Sequence, residues 1–204
     1  MSIDIEQKLT QVIKNAGDID EHLVYLMKLS SECESVLECG VRSIVSSWAF
    51  VNGLVINKST LKKLVCSDTE PSPGAQELAT ACAENNIKHK FIVGNDLDMV
   101  MEPYDMIFID TWHIYGHLKR ELAKMHFYAK KYIVMHDTEV DKIHGECIRM
   151  NDNIDWMIQK SGYSHQDVTT GLGLAVEEFL AAHPEWKIKR HFQHENGLTV
   201  LERI

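Results

Sequence analysis

Two apolar runs set the terms for any fold this chain can adopt. Met106-Ile107-Phe108-Ile109 stops on Asp110-Thr111-Trp112-His113, and Tyr132-Ile133-Val134-Met135 stops on His136-Asp137-Thr138. A continuous apolar run of this kind, rich in β-branched residues, reads as a strand buried on both faces, as found in parallel sheets. In an open α/β sheet, ligands bind just beyond the carboxyl ends of such strands. Two neighbouring strands therefore aim Asp110, His113, His136 and Asp137 at one crevice, a suitable place for a hard cation and a base.

The rest of the chain supplies more strands of the same type. Ile5, Leu9, Val12, Ile13 and Ala16 predict an amphipathic helix; Ile19, Leu23, Leu26, Met27 and Ser30 predict a second after a Gly17-Asp18 break. Residues 35–39 read as a strand running into Gly40, followed by a helix over 46–54. A strand over 63–67 ends on Asp68, a helix covers 75–85, and a strand over 90–93 ends on Gly94-Asn95-Asp96. After the strand at 106–110 comes a helix over 115–130, the strand at 132–136, and a polar stretch from 139 to 170. A helix over 171–183 stops at Pro184, and strands at 186–192 and 198–204 flank Glu195-Asn196-Gly197, whose Asn-Gly is a hairpin signal. Five β/α alternations closed by an antiparallel hairpin predict a three-layer α/β sandwich, wound right-handed.

A length of 204 residues fits one domain, with N-terminal helices over 1–31 and a Rossmann-like core over 34–204. A net charge of −9 gives no footprint for nucleic acid, and no apolar run approaches the ~20 residues of a membrane-spanning helix. Five cysteines with no CxxC pair point to a reducing, cytoplasmic setting rather than a disulfide scaffold. The apolar first helix offers a surface for a homodimer.

Glu38-Cys39-Gly40-Val41-Arg42-Ser43 is a strand-to-helix turn with one clear glycine, so it is not a dinucleotide fingerprint. Such a turn suits a ligand without a diphosphate. Asp68, closing the next strand, is placed to accept from ribose hydroxyls, and Asn95 and Asp96 to reach a base edge. Each has a plainer reading as a solvated loop residue, and Gly40 as turn geometry.

Taken in order, these features resemble the class I S-adenosylmethionine-dependent methyltransferases. Phe108-Ile109-Asp110-Thr111-Trp112-His113-Ile114-Tyr115, His136-Asp137-Thr138, the tail from Gly171 to Leu180, Pro184-Glu185-Trp186 and Asn196–Leu201 are similar to the metal-dependent sugar O-methyltransferases related to macrolide-sugar and rhamnosyl methyltransferases. Small glycan methyltransferases of large algal viruses (chloroviruses) look similar too, which would put the chain in a host cytoplasm. The resemblance implies a mostly parallel seven-stranded sheet, S-adenosyl-L-methionine as cofactor and a divalent cation, Mg²⁺ or Mn²⁺. Glu38, Gly40, Arg42, Ser43, Asp68, Asn95, Asp96 and Asp110 would then lie along the cofactor, and Asp110 and Asp137 would hold the metal. His136 stands where related enzymes carry a carboxylate; it reads either as a third ligand or as a partner of backbone. Arg42-Ser43 replaces the usual glycine of the first turn.

Methyl transfer to an alcohol needs help at the hydroxyl, whose pKa lies far above 7. A cation can orient two neighbouring sugar hydroxyls and a histidine can take the proton, which makes His113 the expected base. Trp112, Tyr115 and His117 follow the strand end and are expected to wall a sugar or glycan pocket. His126, His183, His191 and His194 receive no role, and Glu139, Asp141 and His144 read as loop charge. Other readings are a catechol-type O-methyltransferase, which usually employs a lysine base, a metal-dependent hydrolase or hydroxylase with all four residues as ligands, and a non-catalytic binding module.

Overall fold

Seven strands run in the order β3-β2-β1-β4-β5-β7-β6 in the computed structural model, which describes residues 3–15 and 17–204. Ala16, assigned above to the first helix, lies outside the described residues. The strands are β1 (Ser35–Cys39), β2 (Lys62–Asp68), β3 (Ile87–Val93), β4 (Tyr104–Ile109), β5 (Ala129–His136), β6 (Trp186–Phe192) and β7 (Leu198–Arg203). The first five pair in parallel, and β7 lies antiparallel between β5 and β6. This is the expected α/β sandwich with its closing hairpin.

Successive residues of the central strands feed two separate cores, which is why those strands read as unbroken apolar runs. Val36, Met106, Phe108 and Val134 pack toward one layer of helices, while Leu37, Ile107, Ile109, Ile133 and Met135 pack toward the other. The first layer holds α2 (Asp20–Ser30), α3 (Ser46–Ile56) and α4 (Ala75–Glu84); the second holds α5 (Tyr115–Met125) and α9 (Leu172–Ala182). Helix α3 is buried from Ser46 through Leu54, because α2 and α1 (Ile5–Ile13) cover its outer side. The apolar stripe of α1 packs on this core through Ile5, Leu9, Val12 and Ile13.

Three short helices, α6 (Glu146–Arg149), α7 (Ile154–Ser161) and α8 (His165–Thr169), occupy the stretch read above as polar and irregular. They close over a small third core of Ile114, Cys147 and Val168. All five cysteines are free and buried. No described helix is long and apolar enough to cross a membrane.

Candidate active site

Strand order reverses at β1, which has β2 on one side and β4 on the other, and a cavity of about 1060 Å³ opens beyond the strand ends there. Gly40 makes this switch point possible. Its φ is +82°, and a Cβ would lie 1.8 Å from the Asp110 carbonyl oxygen, so only glycine lets the β1 exit cross the β4 exit. Arg42 and Ile44 also take left-handed φ values of 44° and 61° in this turn. Asp68 holds it: Oδ2 accepts the Val41 and Arg42 N–H groups at 2.8 Å each. Burial pushes the Asp68 carboxyl up, but the backbone donors from Arg42, Val41, Glu70 and Thr69 more than offset this and keep it below the usual range.

Glu38 departs from its expected place along the cofactor. It is fully buried and does not itself line the cavity; it accepts from the hydroxyls of Ser46, which does line it, and Ser47, and from the Cys66 thiol. The even-numbered residues of β1 face the α3 layer, so its carboxyl ties the start of α3 to β1 and β2. Burial raises its pKa to about 7. Gly40, Arg42, Ser43, Asp68, Asn95 and Asp96 all line the cavity. Asn95 Oδ1 accepts the Leu97 N–H at 2.9 Å, fixing the turn. Asp96 belongs to a buried group with His117 and Glu121: His117 Nε2 stands 3.3 Å from Asp96 Oδ1 and 3.6 Å from Glu121 Oε1. Burial and the Asp96 charge push the Glu121 carboxyl well up, so Glu121 keeps the proton and Asp96 the charge. Thr111 donates to Glu121 at 2.6 Å, which links this group to the β4 exit.

Asp110, His113, His136 and Asp137 meet at the ends of β4 and β5. His113 Nε2 lies 3.1 Å from Asp110 Oδ1, and Nδ1 lies 3.0 Å from Asp137 Oδ2 and 3.1 Å from Glu146 Oε2. His136 Nδ1 is 3.5 Å from both Asp110 Oδ1 and Asp137 Oδ2, while its Nε2 faces the Glu195 carbonyl at 3.2 Å. One His136 nitrogen thus meets backbone, as one reading expected, while the other faces the acids. Asp137 has a φ of 56°, a conformation uncommon outside glycine, which turns its carboxyl back onto the cluster.

The electrostatics follow from this crowding. Burial pushes His113 toward the neutral form, yet contacts with Asp110, Asp141 and Glu146 prevail and raise its pKa well above the ordinary histidine range. His136 is likewise disfavoured as a cation by burial, but Asp110 and Asp137 raise it to about 10. Burial would raise Asp110; the two imidazoles hold it far below the usual carboxylate range instead.

A divalent cation fits this donor set. Asp110 and Asp137 offer carboxylate oxygens within 4.8 Å of one another and of a His113 nitrogen, His136 Nδ1 stands 3.5 Å from both acids, and Asp137 Oδ1 is buried with no hydrogen-bond partner among the described residues. Arg149 also binds Asp141 with two bonds of 2.7 Å, so Asp141 is shared between Arg149 and His113 Nδ1 at 3.6 Å. Carboxylates with imidazole suit Mn²⁺ better than an all-oxygen site would, while two carboxylates already suffice for Mg²⁺.

Sequence reasoning missed Asp141 and Glu146. Asp141 was read as loop charge; its position four residues after Asp137, within a helical turn closed by its N–H on the Asp137 carbonyl, is the signal available. Trp112 and His117 line the cavity, but Tyr115 does not: it is buried in the α5–α9 core with its hydroxyl on Glu178. The first turn of α5 sends residue 115 toward α9 and residue 117 toward the cavity. Tyr163 lines the cavity in its place, stacked on Trp112 at 5.8 Å and 3.2 Å from His117 Nδ1, with Met157 and Lys160 also in the lining.

The architecture recurs in solved methyltransferases. An O-methyltransferase from Bacillus cereus in complex with SAH has a TM-score of 0.57 at 15% identity, covering 100% of this chain and 92% of that one. The SAH-bound methyltransferase PaMTH1 from Podospora anserina gives 0.56 at 13% identity over 100% and 89%. A methyltransferase from Geobacter sulfurreducens gives 0.58 at 13% identity, again over 100% and 89%. This chain has the Rossmann-like methyltransferase fold. Neither a protein-family model nor a curated protein sequence matches it.

Proposed function

We propose that the chain is an S-adenosylmethionine-dependent O-methyltransferase that acts on a sugar hydroxyl, of a rhamnose-type residue or similar glycan unit, with a divalent cation at Asp110 and Asp137. The observation that carries the reading is a single cavity with the single-glycine turn and Asp68 on one side and the Asp110–His113–His136–Asp137 cluster on the other. The recurrence of the fold in SAH-bound methyltransferases supports the cofactor.

Bound at the Gly40 turn, with Asp68 toward the ribose and Asn95 and Asp96 toward the base, the cofactor would supply a methyl already activated on sulfonium. A cation on Asp110 and Asp137, with His136 Nδ1 as further donor, would polarise the acceptor hydroxyls and compete with the imidazole protons for the same carboxylates. Once that competition has cost His113 its extra proton, the neutral ring would take the hydroxyl proton on Nε2, the nitrogen freed from Asp110, while Glu146 and Asp141 would stabilise the imidazolium through Nδ1. Trp112, His117 and Tyr163 present apolar faces and polar edges together, the combination a sugar ring requires. A catechol-type enzyme would want a lysine base at the acids; the cavity's Lys160 instead lies over Trp156, at 4.7 Å.

The test is methyl transfer to rhamnose-terminated acceptors, read by mass, alongside calorimetric titration with the cofactor. Methylated sugar with cofactor consumed in equal amount is expected. No heat of cofactor binding would remove the whole reading, and transfer to catechols but never to sugars would remove the acceptor class.

A further inference from the structure

A second group of donor side chains lies at the opposite end of the sheet from the cavity, beside the starts of β5 and β6. His126 directly follows α5, His183 directly follows α9, and Glu185 precedes β6. One ligand atom from each lies within 4.8 Å of the other two. His126 is only 4% exposed, and its Nδ1 is buried without a hydrogen-bond partner among the described residues. An unpartnered imidazole nitrogen in that setting is costly unless something occupies it.

The spacing suits an ion. His183 Nδ1 and Glu185 Oε1 stand 3.2 Å apart, and donors held at about 2.0–2.1 Å around a tetrahedral ion stand roughly 3.3 Å apart. The two imidazole centroids are 4.2 Å apart; Phe179 stacks on His183 at 4.6 Å and Phe127 lies 3.9 Å from His126, which limits the ring rotamers. Helices α5 and α9 both end here, so two negative helix termini converge on the group. Helix α9 has no basic residue in its last turn, and Lys124 of α5 is turned away onto the carbonyls of Asp96, Leu97 and Met99. The neighbouring cation, Arg203, is engaged by the His126 carbonyl and the Trp186 ring.

We propose that His126, His183 and Glu185 form a binding site for a Zn²⁺-class ion that clips the ends of α5 and α9 to the start of β6. Two imidazoles and one carboxylate favour such an ion over Mg²⁺ or Ca²⁺, which prefer all-oxygen sets. The remaining position faces water, since the His183 and Glu185 side chains are 27% and 41% exposed.

The experiment uses chelator-stripped full-length protein titrated with Zn²⁺ by calorimetry, in the Asp110→Asn/Asp137→Asn background so that the Asp110–His113–Asp137 group does not contribute, with the His183→Gln difference assigning the ion to this site. One Zn²⁺ per chain should bind, Mg²⁺ should not displace it, and Tm should rise with Zn²⁺. Adding His183→Gln, at a half-exposed position that tolerates the change, should weaken Zn²⁺ binding at least ~10-fold and abolish the Tm rise. Glu185→Gln should weaken it in the same direction. In the wild-type chain, His183→Gln should remove one equivalent of Zn²⁺. Absence of Zn²⁺ binding in the Asn background, or unchanged affinity and stoichiometry after His183→Gln, overturns the site.

Discussion

Around His113, four acids crowd one imidazole, and the arrangement separates its role from that of its neighbour. His113→Ala should still bind cofactor yet lose on the order of 10²–10⁴ in kcat, the usual worth of positioned proton transfer. His136→Ala should weaken cation affinity, with rate recovered at excess metal. Rescue of His113→Ala by metal alone would make His113 a ligand. Glu38 offers a stability test. Its carboxyl, raised from 4.5 to about 7 by burial, keeps a proton in the folded chain that the unfolded chain releases. The resulting stabilisation is fully present below about pH 4.5 and fades as pH rises through 7, a change on the order of 3 kcal/mol. Glu38→Gln has no proton to release, so denaturant midpoints measured across this range should show a flatter decline than the wild type. An identical slope would assign the titration to another group.

Between elements, α5 makes a close contact with α8 beside the cavity wall at Tyr163. A Cβ on Gly116 would stand 2.3 Å from Asp167 Cβ, so Gly116→Ala forces the two helices apart. We expect a stability loss of about 1–3 kcal/mol and a several-fold rise in acceptor KM, since Tyr163 leads into α8, with cofactor affinity unchanged. A KM equal to wild type would detach this wall from the acceptor. The central strands were legible because both their faces are buried. Strand β3 begins at Ile87 rather than 90: it is a sheet edge, where Lys88, His89 and Lys90 replace the unbroken apolar run of the central strands. Helices α6 to α8 escaped notice for another reason. They run from 4 to 8 residues, too short for a periodic stripe, and their order comes from contacts with Trp112 and Ile114 far back in the chain.

For the whole molecule, the crevice depends on two halves of the chain meeting, and chelation tests that dependence. Exhaustive chelation should abolish turnover while cofactor stays bound, and Mg²⁺ or Mn²⁺ should restore it. Full turnover in chelated protein free of metal by elemental analysis would take Asp110 and Asp137 out of the cation's site. The amino-acid sequence by itself determined the layered α/β class, the strand ends that carry Asp110, His113, His136 and Asp137, and the closing hairpin. These follow from local hydrophobic period and turn chemistry, which act over a few residues. Tertiary structure alone decided that Glu38 turns toward the α3 layer, that Tyr115 points to α9 while Tyr163 comes to the cavity, and that Asp141 and Glu146 join His113. Which face a side chain meets, and what charge waits there, depends on partners dozens of residues away, and no local pattern encodes that encounter.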